Sequence, residues 1–124
     1  MKKNTPILIV DDQEGIRKLL LETCGMLGYG AVAVASGQEA LVLVPQHNFQ
    51  VALVDMKMPG LDGLQTTEQL LATGGNLKII MITGDDDYEG IIQENNTNCE
   101  VAAVMKKPFA LEKLQALLEK NITE

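Results

Sequence analysis

Five short apolar runs, alternating with longer stretches of helical period, predict an α/β chain of (βα)₅ order: a parallel sheet covered by helices on both faces. Three observations carry this. Several runs are apolar at every position, without the in/out alternation of a half-exposed strand, as parallel strands covered on both sides are. The segments between them mostly repeat every three to four residues. And 124 residues, 46% of them hydrophobic, suit one domain around one core.

The first run, Ile7-Leu8-Ile9-Val10, predicts a buried strand. Ile16, Leu19, Leu20, Thr23 and Leu27 then share one helical stripe, which Gly28-Tyr29-Gly30 ends. Ala31 to Ala35 predicts the second strand. Ser36-Gly37-Gln38-Glu39 reads as a capping box opening a second helix, with Ala40, Leu41 and Val44 inward and Pro45 at its close. Val51-Ala52-Leu53-Val54 predicts the third strand, and Leu64, Thr67, Leu70 and Leu71 the helix after it, ending near Gly74-Gly75. Leu77 to Ile82 predicts the fourth strand. The segment from Asp85 to Glu100 is the least regular. Its inward candidates are Tyr88, Ile91 and Ile92, and Asn95-Asn96-Thr97-Asn98 is poor helix material, so a short or irregular helix and a polar loop are expected. Val101 to Met105 predicts the fifth strand, and Leu111, Leu114, Leu117 and Leu118 the stripe of the last helix. No linker or repeat interrupts residues 1–124, which read as one domain.

With no Trp, two Phe and two Tyr, the core must be aliphatic. The net charge of −7 repels nucleic acid phosphates and anionic membranes, so direct binding to either is not expected. Cys24 and Cys99 make no disulfide framework and no metal-ligand spacing; they read as reduced packing residues, each half-buried. The polar start, Met1 to Pro6, is too short for a signal peptide, and four apolar residues cannot span a bilayer, which predicts a cytoplasmic protein. His47 lies in the polar Gln46-His47-Asn48 turn, at the sheet end away from the acids, and reads as a surface loop residue.

Sites on open parallel sheets form beyond the carboxyl ends of the strands. There the first strand ends in Asp11-Asp12, the third in Asp55, the fourth in Thr83 and the fifth in Lys106-Lys107-Pro108. Three carboxylates brought together repel one another, and a divalent cation relieves this. Mg²⁺, a hard ion held by one or two carboxylates plus phosphate oxygens, fits such a set. A phosphoryl group entering the site would meet the cation, a lysine ammonium and the Thr83 hydroxyl, leaving Asp55 as in-line nucleophile. Each residue alone has a plainer reading: Asp12 is as well explained as a helix cap, Thr83 as structural, and Lys106 or Lys107 as a solvated charge. The force lies in their falling at the same end of successive strands.

Together these residues resemble the receiver domain of two-component response regulators, end to end. Asp11-Asp12 matches the acidic pair after the first strand. Asp55-Met56-Lys57-Met58-Pro59-Gly60-Leu61-Asp62-Gly63 matches the phosphoacceptor segment, Thr83-Gly84 the hydroxyl residue followed by a small one, and Lys107-Pro108-Phe109 the segment before the last helix. The resemblance implies a flavodoxin-like, doubly wound fold with strand order 2-1-3-4-5. It implies that Asp55 accepts a phosphoryl group from a histidine kinase or histidine phosphotransfer protein. Asp12, Asp55 and the backbone carbonyl of Lys57 would bind Mg²⁺ (or Mn²⁺), with Asp11 acting through a metal-bound water. Thr83 and Lys107 would bind phosphoryl oxygens, and Lys107 is preferred to Lys106 because the family's lysine directly precedes proline. Gly84 leaves room beside Thr83, while Lys57 and Asp85 stand where the family tunes the lifetime of the acyl phosphate.

Two features depart from the family pattern. Val104 occupies the place of an aromatic residue that turns inward on phosphorylation, and the segment from Thr83 to Lys107 is about two residues longer than usual. Both alter the expected output surface; Val104, the acidic charge and the lack of an effector domain in these 124 residues point to a relay or stand-alone adaptor whose output is onward phosphotransfer or docking. Gly15, Ile16, Pro108 and Phe109 would form a rim receiving the helical bundle that carries the donor histidine, and Leu19 reads as core. Two other readings stand beside this one. A degenerate, phosphorylation-independent interaction module is kept open by Val104 and the irregular segment. A Mg²⁺-dependent phosphohydrolase is less well supported, since Asp11 and Asp12 are adjacent and these 124 residues leave no room for a cap domain.

Overall fold

In a computed structural model, described here for residues 6–56, 63–73, 77–84, 101–107 and 109–122, five parallel strands lie in the order β2-β1-β3-β4-β5. The strands are β1 (Ile7–Val10), β2 (Ala31–Val34), β3 (Val51–Asp55), β4 (Lys78–Thr83) and β5 (Ala103–Lys106). The helices among the described residues are α1 (Glu14–Met26), α2 (Gly37–Leu43), α3 (Gly63–Ala72) and α4 (Leu111–Asn121), with a 3₁₀ turn at Val44–Gln46. This is the doubly wound order expected. The irregular segment from Asp85 to Glu100, and Cys99 within it, lies outside the described residues. So do Lys57, Met58, Pro59, Gly60, Leu61, Asp62 and Pro108.

The sheet separates two cores, and strand parity decides which residues enter each. Ile7, Ile9, Val51, Leu53, Ile80, Ile82 and Met105 pack with Leu20 and Cys24 of α1 and Leu114 and Leu118 of α4. Leu8, Val10, Ala52, Val54, Ile79 and Met81 pack with Ala40 of α2 and Leu70 of α3. Side chains on both faces of β1, β3 and β4 are thus almost wholly buried. At about 25 cal/mol per Å², each contributes roughly 1.5–3 kcal/mol of transfer free energy. That burial explains the unbroken apolar runs.

Local signals set the helix ends. α1 closes in a Schellman motif: Gly28 takes a φ of +90°, the Tyr29 amide donates to the Cys24 carbonyl at 2.9 Å, and the Gly28 amide donates to Gly25 at 3.0 Å. α2 opens on the predicted capping box. The Glu39 amide donates to Ser36 Oγ at 3.2 Å, and Glu39 Oε2 accepts from the Ala35 amide at 2.8 Å. Pro45 does not itself end α2. The helix stops at Leu43, and Pro45 sits inside the 3₁₀ turn that follows, where its missing N–H is tolerated.

Three packing expectations need correction. Leu19 is 47% exposed, because α1 seats on Leu20, Thr23 and Cys24 and one residue rotates a side chain by about 100° to the flank. Leu111 is 49% exposed, since it lies in the first turn of α4, one turn short of Leu114. Cys24 is fully buried rather than half-buried, and burial pushes its thiol up to about 11. No helix of the described residues is long and apolar enough to cross a membrane.

Candidate functional site

The register of the sheet makes neighbours of residues far apart in sequence. Ile9 aligns with Leu53 and Val10 with Val54, so the chain leaves β1 with Asp11 beside Asp55, the last residue of β3. Asp55 in turn aligns with Ile82, and Ile82 with Met105. One step further along, Thr83 aligns with Lys106, and the Lys107 amide donates to the Thr83 carbonyl at 2.8 Å, prolonging the ladder. All the strand ends singled out in the sequence therefore meet at one sheet edge.

Three carboxylates gather there. Asp11, Asp12 and Asp55 each offer a carboxylate oxygen within 4.8 Å of the others'. Asp11 is 1% and Asp55 6% exposed, whereas Asp12 stands open to solvent. The Lys107 ammonium faces both buried acids, 3.7 Å from Asp11 Oδ2 and 3.7 Å from Asp55 Oδ1. Its side chain is 27% exposed. These separations are Coulombic contacts, too long for direct hydrogen bonds. As a quartet, the three acids and one ammonium carry two more negative charges than positive, a strong field in a partly desolvated place.

Asp11 is fixed from several sides. Its amide donates to the Val34 carbonyl at 3.2 Å, Oδ1 accepts from the Gln13 amide at 2.9 Å, and its carbonyl accepts from Arg17 Nη1 at 2.9 Å. Of the two adjacent acids, Asp11 forms the turn, and Asp12 does not cap α1, whose cap position is Gln13 with no side-chain cap bond. Asp11 Oδ2 is buried and has no hydrogen-bond donor. A buried, ionisable oxygen without a donor, facing two other carboxylates, is a donor set suited to a hard divalent cation. The three acids thus could hold a metal ion.

Parity also separates the two adjacent lysines. Met105 packs into the α1/α4 core, and Lys107, two residues on, continues to the side shared by Asp11 and Asp55. Lys106 follows Val104 toward the opposite face and is exposed. In the sequence the choice rested on the resemblance alone; alternation from Met105 was the physical signal that could have made it. Thr83 is buried at the end of β4. Gly84 is exposed, and a Cβ there would meet nothing within 4 Å among the described residues.

Of the proposed rim, Gly15 is exposed, while Ile16 and Phe109 are half-buried against the α1/α4 core. Leu19 and Leu111, read as inward, instead add exposed apolar surface to the helices flanking the site. Lys57, Asp85 and Pro108, with the tuning and docking roles expected of them, lie outside the described residues. Arg17 was missed by the sequence reading. Its spacing of six from Asp11 was the available signal, since a long cationic side chain one turn into a helix can reach back over the preceding loop.

A family model described as the response regulator receiver domain matches residues 7–119. Sporulation initiation phosphotransferase F of Bacillus subtilis is 34% identical over 121 residues, covering 96% of this chain and 94% of that protein. Response regulator MprA of Mycolicibacterium vanbaalenii is 35% identical over 112 residues; 89% of this chain matches 47% of that longer protein. Among solved structures, response regulator TrrA of Thermotoga maritima, crystallised in complex with Mg²⁺-BeF, superposes with a TM-score of 0.83 at 27% identity, over 95% of this chain and 99% of that one.

Proposed function

The chain belongs to the response regulator receiver family, and from that premise we propose that it is a phosphoacceptor that receives a phosphoryl group on Asp55. The donor is a phosphohistidine on a histidine kinase or histidine phosphotransfer protein in the cytoplasm. An Asp55 oxygen forms the new P–O bond as the P–N bond to the donor imidazole breaks. The imidazole keeps the electron pair and regains a proton from solvent. The observation that carries this reading is the buried Asp11–Asp55 pair sharing the Lys107 ammonium. It supplies a nucleophile, acids for a cation and a positive group for an incoming anion at one point.

Asp11, Asp12 and Asp55 would hold Mg²⁺ (or Mn²⁺), with the Lys57 carbonyl completing the set that the family resemblance implies and Asp11 acting through water. When bound, the ion supplies positive charge against the acids and the phosphoryl oxygens. Lys107 and the Thr83 hydroxyl bind the transferred group's oxygens, and the small Gly84 leaves room for it. Lys57 and Asp85 set the lifetime of the acyl phosphate by screening it from water. The donor bundle docks on Gly15, Ile16, Pro108 and Phe109. The chain works as a stoichiometric acceptor and relay, not a turnover enzyme. The likeness to a protein named a phosphotransferase over nearly its whole length and a half-buried Val104 where the family's aromatic would stand both favour this.

Incubation with acetyl phosphate and Mg²⁺, followed by intact mass measurement, tests the reading. Wild type should gain a single phosphoryl mass and Asp55→Asn none. A wild type that gains no mass, or an Asp55→Asn variant that gains as much, would refute it.

A further inference from the structure

Two of the three clustered acids lie on the turn that joins β1 to α1, and that turn leads into a helix without a side-chain cap. Gln13 occupies the cap position in extended conformation and its side chain caps no backbone amide. What holds the turn is the pair of bonds converging on Asp11. One, from the Gln13 amide to Oδ1, uses the carboxylate itself. The other, from Arg17 Nη1 to the backbone carbonyl, does not. The first bond leaves Asp11 Oδ2 free for a cation, and the second leaves the whole carboxylate free while fixing the backbone that carries it.

The geometry points to Arg17 as a positioning residue for the cation site: through the Asp11 carbonyl it holds the Asp11–Gln13 turn so that Asp11 Oδ2 and the Asp12 carboxylate stay directed toward Asp55. This rests on the reading of the three acids as a cation site. Arg17 is half-buried, and its own amide donates to the Gln13 carbonyl at 3.0 Å. That amide bond is the ordinary first bond of the helix and survives substitution, so the tie that depends on the arginine side chain is the one from Nη1 to the Asp11 carbonyl. The planar guanidinium reaches back over the loop with a directed N–H; a lysine ammonium carries the same charge without that fork.

Two effects of removing Arg17 have opposite signs, which makes the role measurable. As a mere positive charge near three carboxylates, Arg17 would oppose cation binding, and its loss would tighten it. As the strut of the turn, its loss loosens two of the three acids and weakens binding, as loss of an orienting partner behind a metal ligand does.

Mn²⁺ alone is the probe, its free concentration followed by electron paramagnetic resonance well below each variant's unfolding temperature. Arg17→Met and Arg17→Lys should each bind Mn²⁺ about tenfold more weakly than wild type. In metal-free protein, hydrogen exchange at the Gln13 amide should be faster in both. If Arg17→Met fails to fold, Arg17→Lys, which keeps the charge and most of the packing, decides alone. Unchanged or tighter Mn²⁺ binding in a folded variant overturns the proposal while leaving the cation site standing. A wild type that binds no Mn²⁺, or an Asp12→Ala variant that binds it as well as wild type, overturns the site reading and this proposal with it.

Discussion

Leu53 and Asp55 stand two residues apart on the central strand and follow the same parity. Leu53 is enclosed by the α1/α4 core, while Asp55 meets the Lys107 ammonium and two further acids. The same contrast holds between Ile9 on β1 and Asp11 just beyond it, and between Met105 on β5 and Lys107 just beyond it. One face of one sheet passes from packing to chemistry within a single step of alternation. The change comes at the strand end, because only there can water, a cation or an anion approach groups that the fold otherwise buries. The packed part stabilises the domain. The charged part strains it, since like charges are held together with one shared counter-charge.

The largest expected effect tests the packed side of that contrast. Leu53→Ala should destabilise the protein by about 2–5 kcal/mol in urea unfolding, and a loss under 1 kcal/mol would mean that the strand centre is less tightly packed than described. Next is the Cys24 thiol, raised by burial from 9.0 to about 11. Between these values the unfolded chain has lost its proton and the folded chain has not, so stability falls as pH rises through that window. The fall is up to about 2–3 kcal/mol. Unfolding free energies of wild type and Cys24→Ala against pH should diverge there; parallel curves would count against burial of the thiol.

The charged side predicts smaller changes of opposite sign. Mg²⁺ at ten times its dissociation constant should stabilise wild type by about 1.4 kcal/mol. In cation-free buffer Asp12→Ala should melt at or above the wild-type temperature, because one of three repelling charges is gone, and it should lose the Mg²⁺ response. A variant that melts lower and still responds would dissolve the contrast. The smallest effect sharpens it at the rim. At Gly15 a Cβ would meet nothing within 4 Å and φ is not positive, so the fold itself does not require glycine there. Gly15→Ala should gain about 0.5–1 kcal/mol of stability. It should leave phosphorylation by acetyl phosphate unchanged and slow transfer from a protein donor; equal rates with the protein donor would remove Gly15 from the docking surface.

Much of this was legible in the residues themselves. Runs such as Ile7–Val10 and Val51–Val54 announce buried parallel strands because both faces must be apolar. Ser36 with Glu39, and Gly28 after α1, mark helix ends because their bonds are local. Asp11, Asp12, Asp55, Thr83 and the Lys106-Lys107 pair stand out together in the sequence because strand ends in an open parallel sheet share one edge. Leu19 and Leu111 were misread because helical period identifies a stripe but not its angle to the sheet or where the helix overhangs it.

Sequence alone determined what depends on neighbours along the chain: strand and helix order, caps, and the residue types available for chemistry. Tertiary structure decided what depends on register and parity between distant segments. It put Asp11 beside Asp55, brought Lys107 and not Lys106 to them, gave the turn of β1 to Asp11, and set Arg17 over that turn. The reason is physical. Hydrogen bonds within a turn are written in adjacent residues, whereas the field at a strand end is the sum of charges that only the packed sheet brings within a few ångströms.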